Sequence, residues 1–366
     1  MGNLRSVPDQ LRHRAFTRFE ARQYGVTDRR LDGPLFERIG AGIFRVRGDV
    51  PSSADVLRAV CAQRPGRVAA GISAALLWGL PLPWRLLRTA STQIHLALPR
   101  SIARVSQPIQ LDRYIPTIVT TRLTDLELHT ESVTIPLQTD PGTPRPESTL
   151  STEIPVLSRG RTALQLMPSL WFEEAVAVLD HLVRVPRLRY EGRSTPHATL
   201  PDLTCLADAL SGTPGSARLR TALAYARVGS DSPQETAVRL HAVAAGLPEP
   251  LLNVPIPLAP GRFARPSDGW WPEQRVAFDY QGSSHGSLKQ IARDDRTLRE
   301  FQAHGIRLVR LFKDDLIDPP NWGPPPLAVT RADPAAWHHL PDLQILRWNP
   351  AVSRLSDALG LSSFHE

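Results

Sequence analysis

The chain has 366 residues, 42% of them hydrophobic and 22% charged, a balance that suits folded domains and excludes a disordered or fibrous protein. A formal charge of +7 and a sequence pI of about 10.1 favour a polyanionic partner over an acidic one. No apolar run is long enough to span a bilayer, and two lone cysteines, Cys61 and Cys205, exclude a disulfide framework or a cysteine-based zinc site.

Residues 1–48 hold ten arginines and five acids, so much of the positive excess lies in the first eighth of the chain. The 41 arginines face only two lysines, Lys289 and Lys313, a ratio that a GC-rich coding sequence explains better than selection for phosphate binding. The basic N-terminus has no apolar segment behind it, so the expectation is no secretory signal, no membrane and a reducing cytoplasm.

Residues 1–48 read as a winged helix-turn-helix. Thr17 and Glu20 make a T-x-x-E capping box that starts one helix, Gly25 ends it, and Thr27 caps a second, shorter one. Two strand-like runs flank the turn Gly40-Ala41-Gly42 and form the expected wing. Arg29 and Arg30 lie in the first turn of the second helix, where a recognition helix meets DNA; a helical cap that binds nothing is the plainer alternative.

Residues 49–140 read as a mixed α/β middle domain, with helical spacing over 68–80 and a strand at 94–99. Gly71-Ile72-Ser73 lacks the second glycine and the preceding strand of a nucleophile elbow, so Ser73 is read as structural. The Pro-, Ser- and Thr-rich run at 141–156 is taken as a linker. Residues 157–229 are mainly helical, and Phe172, Val176, Leu179 and Val183 form one apolar stripe.

The domain at 230–318 opens with Ser232-Pro233-Gln234-Glu235, a capped helix with proline at its first position. A strand is expected at 251–257, then a hairpin pairing 263–270 with 274–282, a helix at 287–304 ended by Gly305, and a strand at 306–312. The order is α-β-β-β-α-β. Val276, Phe278 and Tyr280 alternate with Ala277, Asp279 and Gln281, so Asp279 and Gln281 share a face. The hairpin brings Asp268 to the same region. Two close carboxylates repel unless a hard cation sits between them, and Mg²⁺ (or Mn²⁺) suits an all-oxygen site of this kind. A Pro-rich extension, 319–366, ends in a short helix that begins near Asn349-Pro350.

This order, with acids on its second and third strands, is similar to the restriction-endonuclease-like fold. SPQETAVRLHAVAAGLPEP (232–250), DGWWP (268–272), VAFDYQGSSH (276–285), RDDRTLREFQAHGIRLVRL (293–311) and KDDL (313–316) resemble a bacterial family of unknown function related to very-short-patch-repair endonucleases. FERIGAGIFRV (36–46) and SAALLWGLPLP (73–83) resemble AbiEi-like antitoxin modules. The whole reads as an α+β multidomain protein. The resemblance implies metal ligation by Asp268 and Asp279, a supporting role for Glu235 at the site's edge, and a general base or phosphate-side group in His285. It also implies DNA as partner and, through the antitoxin-like modules, a cognate toxin.

Two positions depart from the family's pattern. Asp279 stands where glutamate is usual, which shortens its reach by about 1 Å on ordinary bond lengths. Gln281 stands where an acid is usual; its amide can orient water but supplies no charge. Each site residue also has a plainer reading. Glu235 serves as a cap, Asp268 ends a strand, Asp279 pairs with an arginine, and His285 is a loop residue. Arg293, Arg296 and Arg299 recur at helical spacing, either as a solvated face or as phosphate contacts. Two functions therefore stand side by side: a Mg²⁺-dependent DNA endonuclease, and a catalytically impaired regulator or antitoxin-like protein that binds DNA through its N-terminal module.

Overall fold

In the computed structural model the described residues are 7–90, 92–101, 111, 113, 115–121, 129–134, 153–188, 191–282, 288–316 and 350–361. They form a mixed α/β protein that divides into two compact units, Met1–Gln165 and Leu166–Glu366.

The first unit begins with β1 (Phe16–Thr17), α1 (Arg18–Gln23), α2 (Asp28–Leu31), β2 (Phe36–Gly40) and β3 (Ile43–Val46). The three strands make an antiparallel sheet in the order β1-β3-β2. The capping box forms as expected: Thr17 Oγ1 accepts from Glu20 N at 3.2 Å and the Glu20 carboxylate accepts from Thr17 N at 2.7 Å. Gly25 closes α1 at φ 71°, a left-handed geometry that glycine adopts without strain. Phe16 and Phe36 meet edge to face with ring centroids 5.9 Å apart, in a core with Leu11, Leu31 and Phe44.

Next come α3 (Ser53–Gln63), β4 (Val68–Ala69), α4 (Gly71–Leu77), α5 (Trp84–Ala90), β5 (Gln93–Pro99), β6 (Ile115–Thr121), β7 (Thr130–Thr134), β8 (Glu153–Leu157) and α6 (Arg159–Leu166). A five-stranded mixed sheet has the order β6-β5-β4-β8-β7. Buried Arg58 of α3 pairs with Glu20 and Asp55 and donates to Ala15 O at 2.6 Å, tying α3 to the first sheet. Ser73 Oγ accepts from His95 N at 2.9 Å, and the strand read as missing ahead of it is present as β4.

Two expectations change here. The helix expected over 68–80 is preceded by strand β4, because Val68 and Ala69 pair with Ala97 and Leu96 before the chain turns into α4 at Gly71. The segment expected as a linker, 141–156, ends in strand β8, where Ile154 and Val156 are fully buried and pair with Val133 and Glu131 of β7. Composition read across the whole segment concealed that short apolar alternation; 141–152 lie outside the described residues.

The second unit starts with α7 (Phe172–Val183), α8 (Leu200–Ala209), α9 (Ser216–Tyr225) and α10 (Pro233–Ala244). Strands β9 (Leu251–Leu252), β10 (Pro255–Ala259), β11 (Arg262–Pro266), β12 (Gly269–Trp271) and β13 (Val276–Gln281) follow, then α11 (Leu288–Ala303), β14 (Arg307–Phe312) and α12 (Pro350–Leu359). A four-stranded sheet has the order β14-β13-β12-β9, with β13 and β14 parallel across α11. The terminal helix begins at Pro350, as read from the sequence, and buries Ala351, Leu355 and Leu359 in the core shared with Val238, Trp271, Phe278 and Leu311.

The hairpin differs from the expectation. Residues 262–266 pair with 255–259 as a separate two-stranded ribbon, and only 269–271 pair with 276–278 of β13. The strand expected at 251–257 is split accordingly, its first two residues joining the main sheet and its last three the ribbon. Pro255, Pro257 and Pro266 lie on the ribbon, where missing N–H groups cost no bonds within the main sheet. The order becomes α-β-(ββ)-β-β-α-β.

Gly269 allows the close approach that seats this hairpin. A Cβ there would lie 2.1 Å from Cε1 of buried Phe278. Gly269→Ala should therefore destabilise the second unit by about 1–3 kcal/mol through displacement of Phe278, read as a lowered urea midpoint.

Candidate functional site

The N-terminus of α10 supplies the first acid. Ser232 caps the helix, its Oγ accepting from Glu235 N at 3.2 Å. The Glu235 carboxylate is buried, accepting from Asp231 N at 2.8 Å, from Ser232 Oγ at 3.0 Å and from Asn253 Nδ2 at 3.2 Å. Burial raises its pKa, and those three donors oppose the rise. Glu235 thus takes part in the cap of α10.

Asp268 stands just before β12. The register pairs Gly269 with Phe278, and continued by one residue it sets Asp268 opposite Asp279. Tyr280 N donates to Asp268 Oδ2 at 2.6 Å. Burial, then the charge of Glu235, then that of Asp279 push the Asp268 carboxyl up to about 8, against the Tyr280 N–H and Arg265. Its neutral form is favoured well above the usual carboxylate range. The charges of Glu235 and Asp279 thus both bear on Asp268.

Asp279 lies in the middle of β13 and is 3% exposed. Its Oδ2 accepts a charge-assisted hydrogen bond from Arg265 Nη2 on β11. The same guanidinium reaches Thr297 Oγ1 of α11 at 3.4 Å and Pro266 O at 2.9 Å. The plainer reading of Asp279, a pairing with an arginine, is therefore also present. Among the described residues its buried Oδ1 has no hydrogen-bond partner, and neither has Oγ of fully buried Ser267 next to Asp268. Unsatisfied buried acceptors of this kind cost energy and mark a place where a ligand or water gains most.

Among the described residues no group of three or more His, Cys, Asp and Glu side chains is arranged to hold a metal ion. Mg²⁺ asks for less, because it keeps several waters and takes one or two carboxylates. On Asp279 the Oδ1 acceptor is unengaged among the described residues, while Arg265 holds Oδ2.

The remaining predicted residues are dispersed. Gln281, two residues past Asp279 on β13, is half-buried on the same face. His285 and the side chain of Arg293 lie outside the described residues. Arg296 is exposed on α11, and Arg299 pairs with Asp295 on the same helix. Sequence reasoning missed Arg265, Ser267 and Asn253. Asn253 has φ 50°, which presents its amide to Glu235 and to Gly229 O. A non-glycine residue in that conformation leaves no spacing signal, and Arg265 was one of 41 arginines.

In the first unit Arg29 is exposed and Arg30 half-buried, both on the four-residue α2. Asp28 pairs with Arg18 at 3.1 Å and with Arg22 at 2.6 Å. Among the described residues no helix is long and apolar enough to cross a membrane.

The chain matches no family model, and no curated protein matches it.

Proposed function

We propose that this protein binds DNA through its N-terminal module, read as a winged helix-turn-helix, and hydrolyses phosphodiester bonds with a restriction-endonuclease-like C-terminal domain. The observation that carries the reading is the convergence of charge on Asp268, just before β12, from Glu235 at a helix start and Asp279 on β13. Such a set favours whatever neutralises it. Asp268 and Asp279 would hold Mg²⁺ or Mn²⁺, which when bound neutralises charge on the phosphate and acidifies the attacking water.

The chain's own residues do the rest. Gln281 presents an amide that orients water beside Asp279. Glu235 stays anchored by Asp231 N and Asn253 and keeps the acidic field directed at Asp268. Arg296 on the exposed face of α11 offers a phosphate contact, with Arg293 and Arg299 on the same helix by spacing. The test is nicking of supercoiled plasmid by the full chain. Relaxation with Mg²⁺ or Mn²⁺ and none with chelator supports the reading; equal nicking in both, or none with either, ends it.

A second reading is a DNA-binding regulator with an inactive nuclease-like domain, related to antitoxins and their toxin partners. The Arg265–Asp279 pair favours it, because the pair satisfies half of the Asp279 carboxylate without any cation. Both readings share one expected result. Arg29→Ala/Arg30→Ala should weaken DNA binding roughly tenfold or more and lower the salt slope by about two, measured by fluorescence anisotropy at several salt concentrations. Unchanged affinity would move the DNA surface away from α2.

A further inference from the structure

We infer that Arg265 is a built-in latch on the carboxylate site: its guanidinium occupies the cation's place on Asp279 and must leave before a divalent ion can be held by Asp279 and Asp268 together. This rests on the cation-binding reading above and deepens it, since it makes Arg265 a positioning residue that sets how tightly the ion binds.

The geometry gives the latch three anchors. Arg265 Nη2 donates to Asp279 Oδ2, Nε to Thr297 Oγ1 at 3.4 Å, and Nη1 to Pro266 O at 2.9 Å. One residue thereby joins the ribbon, the central strand and helix α11. The two partners differ sharply in mobility. The Arg265 side chain is 43% exposed and the Asp279 side chain 5% exposed, so the arginine can swing into solvent while the carboxylate cannot. Arg265 also sits on β11, which pairs only with β10, so its withdrawal breaks no bond in the four-stranded sheet.

The other Asp279 oxygen marks what the latch leaves unfinished. Among the described residues Oδ1 is buried without a partner, and a single guanidinium bond to Oδ2 does not reach it. Arginine and carboxylate commonly pair through two parallel bonds, which would satisfy both oxygens. Here the second bond is replaced by those to Thr297 and Pro266, so the pair is held from behind and the acid is only half satisfied. A divalent cation would meet that need once the guanidinium charge has withdrawn.

Latching lowers apparent affinity by the fraction of time the site is open. Arg265→Gln removes the competing charge and should tighten Mn²⁺ binding about tenfold, read by electron paramagnetic resonance titration of the full chain. Thr297→Val keeps the ion pair and removes one anchor, and should tighten binding about twofold. Without metal, Arg265→Gln should melt below wild type, because a buried carboxylate loses its arginine counter-charge; saturating Mn²⁺ should bring the two together. Asp268→Asn serves as the control for the site itself. Equal Mn²⁺ affinity in wild type, Arg265→Gln and Thr297→Val, with binding lost in Asp268→Asn, overturns the latch and leaves the cation reading intact. Absence of Mn²⁺ binding in every form removes both. Should Arg265→Gln not fold, Thr297→Val alone decides: unchanged affinity overturns the latch.

Discussion

Asp268→Asn is expected to lower Mg²⁺-dependent plasmid nicking on the order of a hundredfold or more, while leaving the protein more stable than wild type at pH 8. The two effects have one cause. The Asp268 carboxyl is raised from 3.8 to about 8, so between those values the folded chain keeps a proton that the unfolded chain gives up. Stability conferred by the neutral acid is complete below about pH 4, declines as pH rises, and is gone above about 8. Asparagine is neutral throughout and keeps an oxygen for Tyr280 N. Its urea midpoint should match wild type near pH 4 and exceed it at pH 8, with a shallower slope between. A residual slope remains because Glu235 is raised in the same direction. Added Mg²⁺ should stabilise wild type at pH 8 and not the variant. Parallel pH profiles for the two proteins would place Asp268 outside the acidic field.

Asp180→Ala should destabilise the second unit by about 3–5 kcal/mol, the largest stability loss expected of any single change here. Asp180 on α7 is 1% exposed and gathers Arg239 Nη2 at 2.9 Å, Thr236 Oγ1 at 2.8 Å and Arg227 N at 2.7 Å. Burial raises its pKa and Arg239 opposes that most strongly. Removing the carboxylate leaves a buried guanidinium, itself 1% exposed, with Glu249 at 3.3 Å as its remaining ion pair among the described residues. Both Arg239 and Thr236 belong to α10, the helix whose first turn carries Glu235. Loss of Asp180 should therefore also weaken any Mn²⁺ response. The double variant Asp180→Ala/Arg239→Met should recover much of the stability, because it deletes the orphaned charge as well. A urea midpoint unchanged in the single variant would refute this account.

Elements with local causes were legible in the sequence. The Thr17–Glu20 capping box, the Gly40-Ala41-Gly42 turn, the Ser232 cap, the Gly305 stop and the helix at Pro350 all depend on residues a few positions apart, and each lies where expected. The ribbon was not legible. Whether 262–266 pairs forward with 274–282 or back with 255–259 depends on which neighbour offers a free edge, and alternation alone is equally satisfied by both. Strand β8 was hidden for the opposite reason, a five-residue strand with Ile154, Val156 and Leu157 buried at the end of a segment whose Pro, Ser and Thr content suggested solvent.

For the site, the chain by itself determined which acids are available: Glu235 by its place after a cap, Asp279 by its charge within an apolar strand, and Asp268 by its position before Gly269. Chemistry of this kind is written in residue types and short spacings. Only the tertiary structure decided that Asp268 is a proton-holding acid and Asp279 an arginine-bound one. Desolvation depends on what covers a carboxylate, and Arg265 reaches Asp279 only because the chain folds back through the β11–β12 turn, fourteen positions away in sequence.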